Sequence, residues 1–190
     1  MFNCFKKKKI VVSEGYGEKP VSKYTFGIII PHTDKHPGAT SFGESISEYD
    51  YAFEMIQTLG NEYDTRDKDG VSGAARSLIK RDCNASIETH FNAYNHKAYG
   101  AEMLVLKNDS ESIEVARLIM EDFKEYFPGR KLRGDRGLKL LSKGDRGSYN
   151  LIAAKNQGMK VALLSELFFG DNESDWMKPS IQAEFWKRHI

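Results

Sequence analysis

The first strong pattern in the chain is an unbroken apolar run, Phe26-Gly27-Ile28-Ile29-Ile30. Its β-branched residues predict a buried strand. Pro31 ends the ladder because it has no N–H to donate, and His32 follows one residue later. Residues 31–47 are polar and contain glycine, which predicts a loop. From Glu48 to Leu59 the apolar positions Tyr51, Ala52, Met55, Ile56 and Leu59 recur at helical spacing, and Gly60 ends the helix. A short strand is predicted near Tyr63, and a second helix from Val71 to Asp82. Ala85 to Phe91 (ASIETHF) alternates as a strand, and Ala101 to Leu106 (AEMLVL) reads as another. Asp109 to Phe127 predicts a long helix with Ile113, Ala116, Ile119, Met120 and Phe123 on one face, broken by Pro128-Gly129. Residues 129–147 are basic and glycine-rich, carry GDRG twice and predict a flexible loop or flap. Tyr149 to Gln157 reads as a helix. Met159 to Leu164 (MKVALL) reads as a strand buried on both faces and ending in Ser165-Glu166. A last helix is predicted around Ser174 to Arg188.

Strands alternating with helices predict an α/β fold, a three-layer sandwich with a mostly parallel central sheet flanked by helices. Residues 1–23 read as a partly mobile lead-in with one edge strand, and 24–190 as a single domain. In such sheets, sites form outside the carboxyl ends of the strands. His32 follows one strand, His90 ends a second and Glu166 ends a third. Three polar residues able to bind or serve a metal are thereby expected on one edge of the sheet.

Composition narrows the function. A net charge of +1 over 190 residues gives no global attraction to nucleic acid or to an anionic membrane surface. The two cysteines, Cys4 and Cys83, form no CxxC pair and predict free thiols rather than a disulfide framework. The Lys6–Lys9 run reads as a solvated tail. The apolar stretch after it is too short for a signal peptide, and no run is long enough to span a bilayer. The expectation is a protein made in the cytoplasm without a recognisable export signal. Its oligomeric state is open, a monomer being expected.

A hydrolytic zinc site takes three His or carboxylate ligands and keeps one position for water. His32, Glu48 and His90 would supply two imidazoles and one carboxylate to one zinc ion, and Glu166 would move the proton. Spacing alone also suits plainer readings: polar residues closing strands, a glutamate favoured at a helix start, an ion-pair partner. Glu44 competes with Glu48 for the ligand role. Glu88 shares a strand face with His90 and suits either a support for that ring or a simple ion pair. His96 follows the strand and suits either a contact to substrate or, more simply, a plain loop residue.

The motifs in order resemble the zinc-dependent N-acetylmuramoyl-L-alanine amidases. These cut the amide between the lactyl group of muramic acid and the first L-alanine of the peptide stem. The likeness runs from about Phe26 to Asp175. It begins with IIIPHTDKHPGATSFGESISEYDYA, a strand leading to a His, a glycine turn and a Glu at a helix start. Thr65-Arg66-Asp67 and a helix containing Arg76 come next. Ser86-Ile87-Glu88-Thr89-His90-Phe91-Asn92-Ala93 and Gly100-Ala101-Glu102 follow, and Leu163-Leu164-Ser165-Glu166-Leu167-Phe168-Phe169-Gly170-Asp171-Asn172 approximates the family's last signature. The resemblance implies zinc at His32, Glu48 and His90, catalysis by Glu166, and peptidoglycan as substrate. The chain departs from the family around the first His, where glycines are replaced by Pro31, Thr33 and Asp34, and the loop Asp by His36. Arg133, Arg136 and Arg146 are candidates to meet carboxylates of the stem. A leaderless catalytic domain of this kind resembles a phage endolysin or a bacterial cell-wall amidase acting on the wall after release. The alternatives are a zinc peptidase cutting within the stem, and a non-catalytic wall-binding or phage structural protein on the same fold.

Overall fold

The computed structural model of the chain describes residues 23–60, 62–66 and 69–190. The expected edge strand in the lead-in, Cys4 and Asp67 lie outside the described residues, as does the side chain of Glu44. Among the described residues, six strands form one sheet: β1 (Phe26–Ile30), β2 (Tyr63–Thr65), β3 (Ala85–Asn92), β4 (Glu102–Leu106), β5 (Leu138–Leu141) and β6 (Val161–Phe169). Five α-helices accompany them: α1 (Glu48–Leu59), α2 (Gly70–Ile79), α3 (Ser110–Tyr126), α4 (Ser148–Asn156) and α5 (Pro179–Trp186). The strand order is β2-β1-β3-β6-β4-β5. Neighbours run parallel except β4 and β6, which are antiparallel. The α/β sandwich with a mostly parallel sheet is as expected.

The layers follow from side-chain alternation. Odd positions of β3, Ala85, Ile87 and Phe91, join a large core with Tyr51 and Met55 of α1, Ile119 and Phe123 of α3, and Phe185 of α5. On the other face a smaller core joins Leu104, Ala162 and Leu164 to Ala74 and Leu78 of α2 and Leu151 and Ala154 of α4. The even positions Glu88, His90 and Asn92 face this second side. Cys83 packs there as a free buried thiol, and burial pushes it up to about 11.

Two elements differ most from the sequence expectation. The segment 129–147 is not a flap: it contains β5, paired to β4 from Met103↔Leu138 to Leu106↔Leu141. Met103 N–H donates to Gly137 O at 2.7 Å and Arg133 N–H to Ala101 O at 2.9 Å, which ties the preceding turns down as well. Glycines and charges on both sides of this four-residue strand hide it from pattern reading. The other difference is β6, which does not end at Glu166 but runs to Phe169. Its polar pair sits mid-strand because Ser165 enters the large core side while Glu166 faces the cleft. Likewise β3 continues two residues past His90.

Candidate metal centre

The loop between β1 and α1 is held by its own main chain. Thr33 bridges His36, and Thr40 bridges Ser47. Glu48 N–H donates to Ala39 O at 3.0 Å, and Tyr49 N–H donates to Pro37 O at 3.1 Å. His32 adopts φ +62°, a left-handed conformation uncommon for a non-glycine residue. The chain thereby turns sharply as it leaves β1, and the imidazole comes to lie against Glu48.

Glu48 is the first residue of α1. Ser47 caps the helix, its Oγ accepting from Asp50 N–H at 3.1 Å. The Glu48 carboxylate reaches both imidazoles. Oε2 lies 2.7 Å from His32 Nε2 and accepts from Ala39 N–H at 3.0 Å; Oε1 lies 3.2 Å from His90 Nδ1. The two rings stand edge to face with centroids 5.0 Å apart. One donor atom from each of His32, Glu48 and His90 falls within 4.8 Å of the others. The expected trio is brought together from three distant segments.

The residues fit a divalent cation. His32 Nε2 is buried and has Glu48 Oε2 2.7 Å away, a contact without the alignment of a regular hydrogen bond. The carboxylates of Glu48 and Glu88 are both buried beside His90. Burial favours the neutral imidazole of His90, but the carboxylates of Glu48 and Glu88 outweigh it and push its pKa up to about 10. Burial likewise raises the Glu48 carboxyl, but the imidazoles of His32 and His90 outweigh it and take it down to about 2. Buried carboxylates on both sides of His90 thus give the pocket a preference for positive charge. Two imidazoles with one carboxylate is a donor set that zinc takes readily.

Glu166 sits beside this group. Its α-carbon pairs in register with that of His90 on one side and of Glu102 on the other, neighbouring strands lying about 4.8 Å apart. Asn92 Nδ2 donates to Glu166 Oε2 at 2.9 Å and to Glu102 Oε1 at 3.0 Å. Burial, assisted by Glu102 and opposed by His90, holds the Glu166 carboxyl above its ordinary value. The group opens into a cleft of about 630 Å³ whose lining includes Tyr94, Leu104, Lys139, Arg146 and Leu164.

Sequence reasoning left several cleft residues without a role. Asn92 continues the Glu88, His90 alternation on one strand face, a signal that period two supplies. Arg66 and Asn150 carry no comparable signal, since their approach to Glu88 depends on the fold. Of the basic candidates, Arg133 lines the cleft, with Nε 3.2 Å from Glu102 Oε1 and its guanidinium 4.7 Å from the Phe169 ring centre. Arg146 also lines it, whereas Arg136 lies beside Asp135 and is not among the lining residues. His96 is 81% exposed at its side chain and rests against Asp171 outside the cleft lining.

No protein-family model matches the chain, and no curated protein matches it in sequence. Solved structures match its fold. The catalytic domain of CwlV, an N-acetylmuramoyl-L-alanine amidase from Bacillus (Paenibacillus) polymyxa var. colistinus, aligns with TM-score 0.61 at 16% identity, over 87% of this chain and 94% of that one. The N-acetylmuramyl-L-alanine amidase Ami1 from Mycobacterium smegmatis aligns with TM-score 0.64 at 13% identity, over 87% and 94%. The catalytic domain of the CD27L endolysin, which targets Clostridia difficile, aligns with TM-score 0.58 at 21% identity, over 85% and 93%. At these identities the likeness is one of fold.

Proposed function

We propose that the protein is a zinc-dependent N-acetylmuramoyl-L-alanine amidase that cleaves peptidoglycan between the lactyl group of muramic acid and the first L-alanine of the stem. The observation that carries this reading is the convergence of His32, Glu48 and His90 on one point, with Glu166 beside His90 in the sheet. A fold shared with amidase catalytic domains supports it.

His32, Glu48 and His90 would hold the metal. Zinc in that position supplies Lewis acidity, polarising the scissile carbonyl and acidifying water. The chain's own residues do the rest. Glu166 takes the proton from the attacking water as the oxygen–carbon bond forms. It then gives that proton to the stem nitrogen as the carbon–nitrogen bond breaks. Burial holds its carboxyl above the ordinary glutamate value, the direction that favours handing the proton on to the leaving nitrogen. Asn92 fixes the plane of the Glu166 carboxylate. Leu104 and Leu164 give the cleft an apolar floor that limits water around the reacting atoms. The site of action is the cell wall. No described helix is long and apolar enough to cross a membrane.

Purified protein is expected to carry about one zinc per chain and to release intact stem peptides from muropeptides. A strong chelator should abolish cleavage and added zinc restore it. Glu166→Ala should keep its metal and lose about 10²–10⁴-fold in turnover. Activity indifferent to chelation would overturn the zinc reading. Fragments cut within the stem would instead identify a peptidase. Binding to sacculi without turnover or metal would identify a wall-binding protein.

A further inference from the structure

Beyond the three candidate ligands and Glu166, another carboxylate is built into the site. Glu88 lies two residues before His90 on the same face of β3 and is 3% exposed. Its Oε1 meets three groups: Arg66 Nη1 at 2.9 Å, Asn150 Nδ2 at 3.2 Å and His90 Nε2 at 3.2 Å. They come from the segment after β2, from α4 and from β3 itself. Burying a carboxylate costs several kcal/mol unless charge and hydrogen bonds compensate it, so this convergence is not an incidental surface pair. The His90 ring is thus clamped between two acids, Glu48 at Nδ1 and Glu88 at Nε2.

We propose that Glu88, held by Arg66 and Asn150, is the positioning residue of the metal centre: it accepts the Nε2 proton of His90 and so points the Nδ1 lone pair toward Glu48 and His32. The ring has two nitrogens and only one tautomer presents Nδ1 as a donor to a cation. A carboxylate fixed at Nε2 selects that tautomer, locks the ring's rotation and makes Nδ1 a stronger donor. Arg66 and Asn150 keep the carboxylate from swinging to the metal itself. Glu88 stays outside the trio whose donor atoms converge.

This inference rests on His90 being a ligand, and the test separates the two claims. Zinc affinity of the folded, full-length protein is measured by competition with a chromophoric chelator for wild type, His90→Ala, Glu88→Gln and Asn150→Ala. Cobalt-loaded samples report the geometry through their visible absorption. Glu88→Gln is expected to bind zinc about 10–100-fold more weakly and to shift the cobalt spectrum. Asn150→Ala, which leaves the Glu88 charge in place, should show a smaller loss in the same direction; it also serves if Glu88→Gln does not fold. A wild-type affinity that His90→Ala leaves unchanged would refute the ligand assignment, and the relay with it. Tight wild-type binding that depends on His90 but is untouched by Glu88→Gln and Asn150→Ala would refute the relay alone.

Discussion

At Gly38 the backbone runs at φ +85°, and a Cβ built there would sit 2.5 Å from Glu48 Oε2 and 2.6 Å from the His32 ring. The glycine is therefore needed twice, once for a conformation that costs an L-residue about 1–2 kcal/mol and once for the space that lets two candidate ligands meet. Gly38→Ala is expected to lower zinc affinity by at least about tenfold, the scale on which disturbed ligand orientation acts, while leaving the chain folded by circular dichroism. Unchanged affinity would mean that the loop relaxes and that His32 is not held by it. The sequence marks Gly38 as a turn residue; that it lies against His32 and Glu48 follows only once the loop is closed. His32 illustrates the same limit. Its place after a strand is legible, but its left-handed backbone is imposed by the path between Pro31 and the Thr33–His36 bridge.

Among the elements, α1 was the easiest to foresee, with bounds at Glu48 and Leu59 in both readings. Its signals are local: Ser47 caps one end, Gly60 takes φ +73° at the other, and its apolar face repeats at helical period. The cap also matters to the site because it fixes the turn from which Glu48 projects. Ser47→Ala should cost about 1 kcal/mol, read as a lower denaturant midpoint with an unchanged slope, and should weaken zinc binding as well. A stability loss with no change in zinc affinity would confine Ser47 to a structural role. β5 was not foreseen, since a four-residue edge strand with the pattern buried-exposed-exposed-buried carries no periodicity. Its pairing to β4 is what brings Lys139 to the cleft.

Across the whole molecule, Asp122 of α3 fastens the C-terminal segment. Arg188 donates to both of its oxygens, at 2.8 and 2.9 Å, and His189 Nε2 lies 3.1 Å from Oδ2. His189 first, and then Arg188 against the opposing effect of burial, hold the Asp122 carboxyl below the ordinary aspartate range. A depressed carboxyl stabilises the fold at pH values above its unfolded pKa of about 3.9. That contribution is lost as pH falls through the lower folded value. Asp122→Asn should therefore be less stable than wild type at pH 7, by about 1–3 kcal/mol, with the gap closing as the solution is acidified below about pH 4. Denaturant midpoints at both pH values check this, and a gap independent of pH would show that shape rather than charge holds the segment. The amino-acid sequence by itself determined the strands and helices with strong periodicity and the α/β class, and it marked four residues as candidates for the chemistry. Those are properties of neighbours along the chain, where side-chain alternation and capping act within a few residues. Only the tertiary structure decided that His32, Glu48 and His90 meet, that Asn92 holds Glu166, and that Arg66 and Asn150 close on Glu88. These encounters depend on strand order and register, which are set by the packing of two separate cores against the sheet and leave no local trace at the residues they unite.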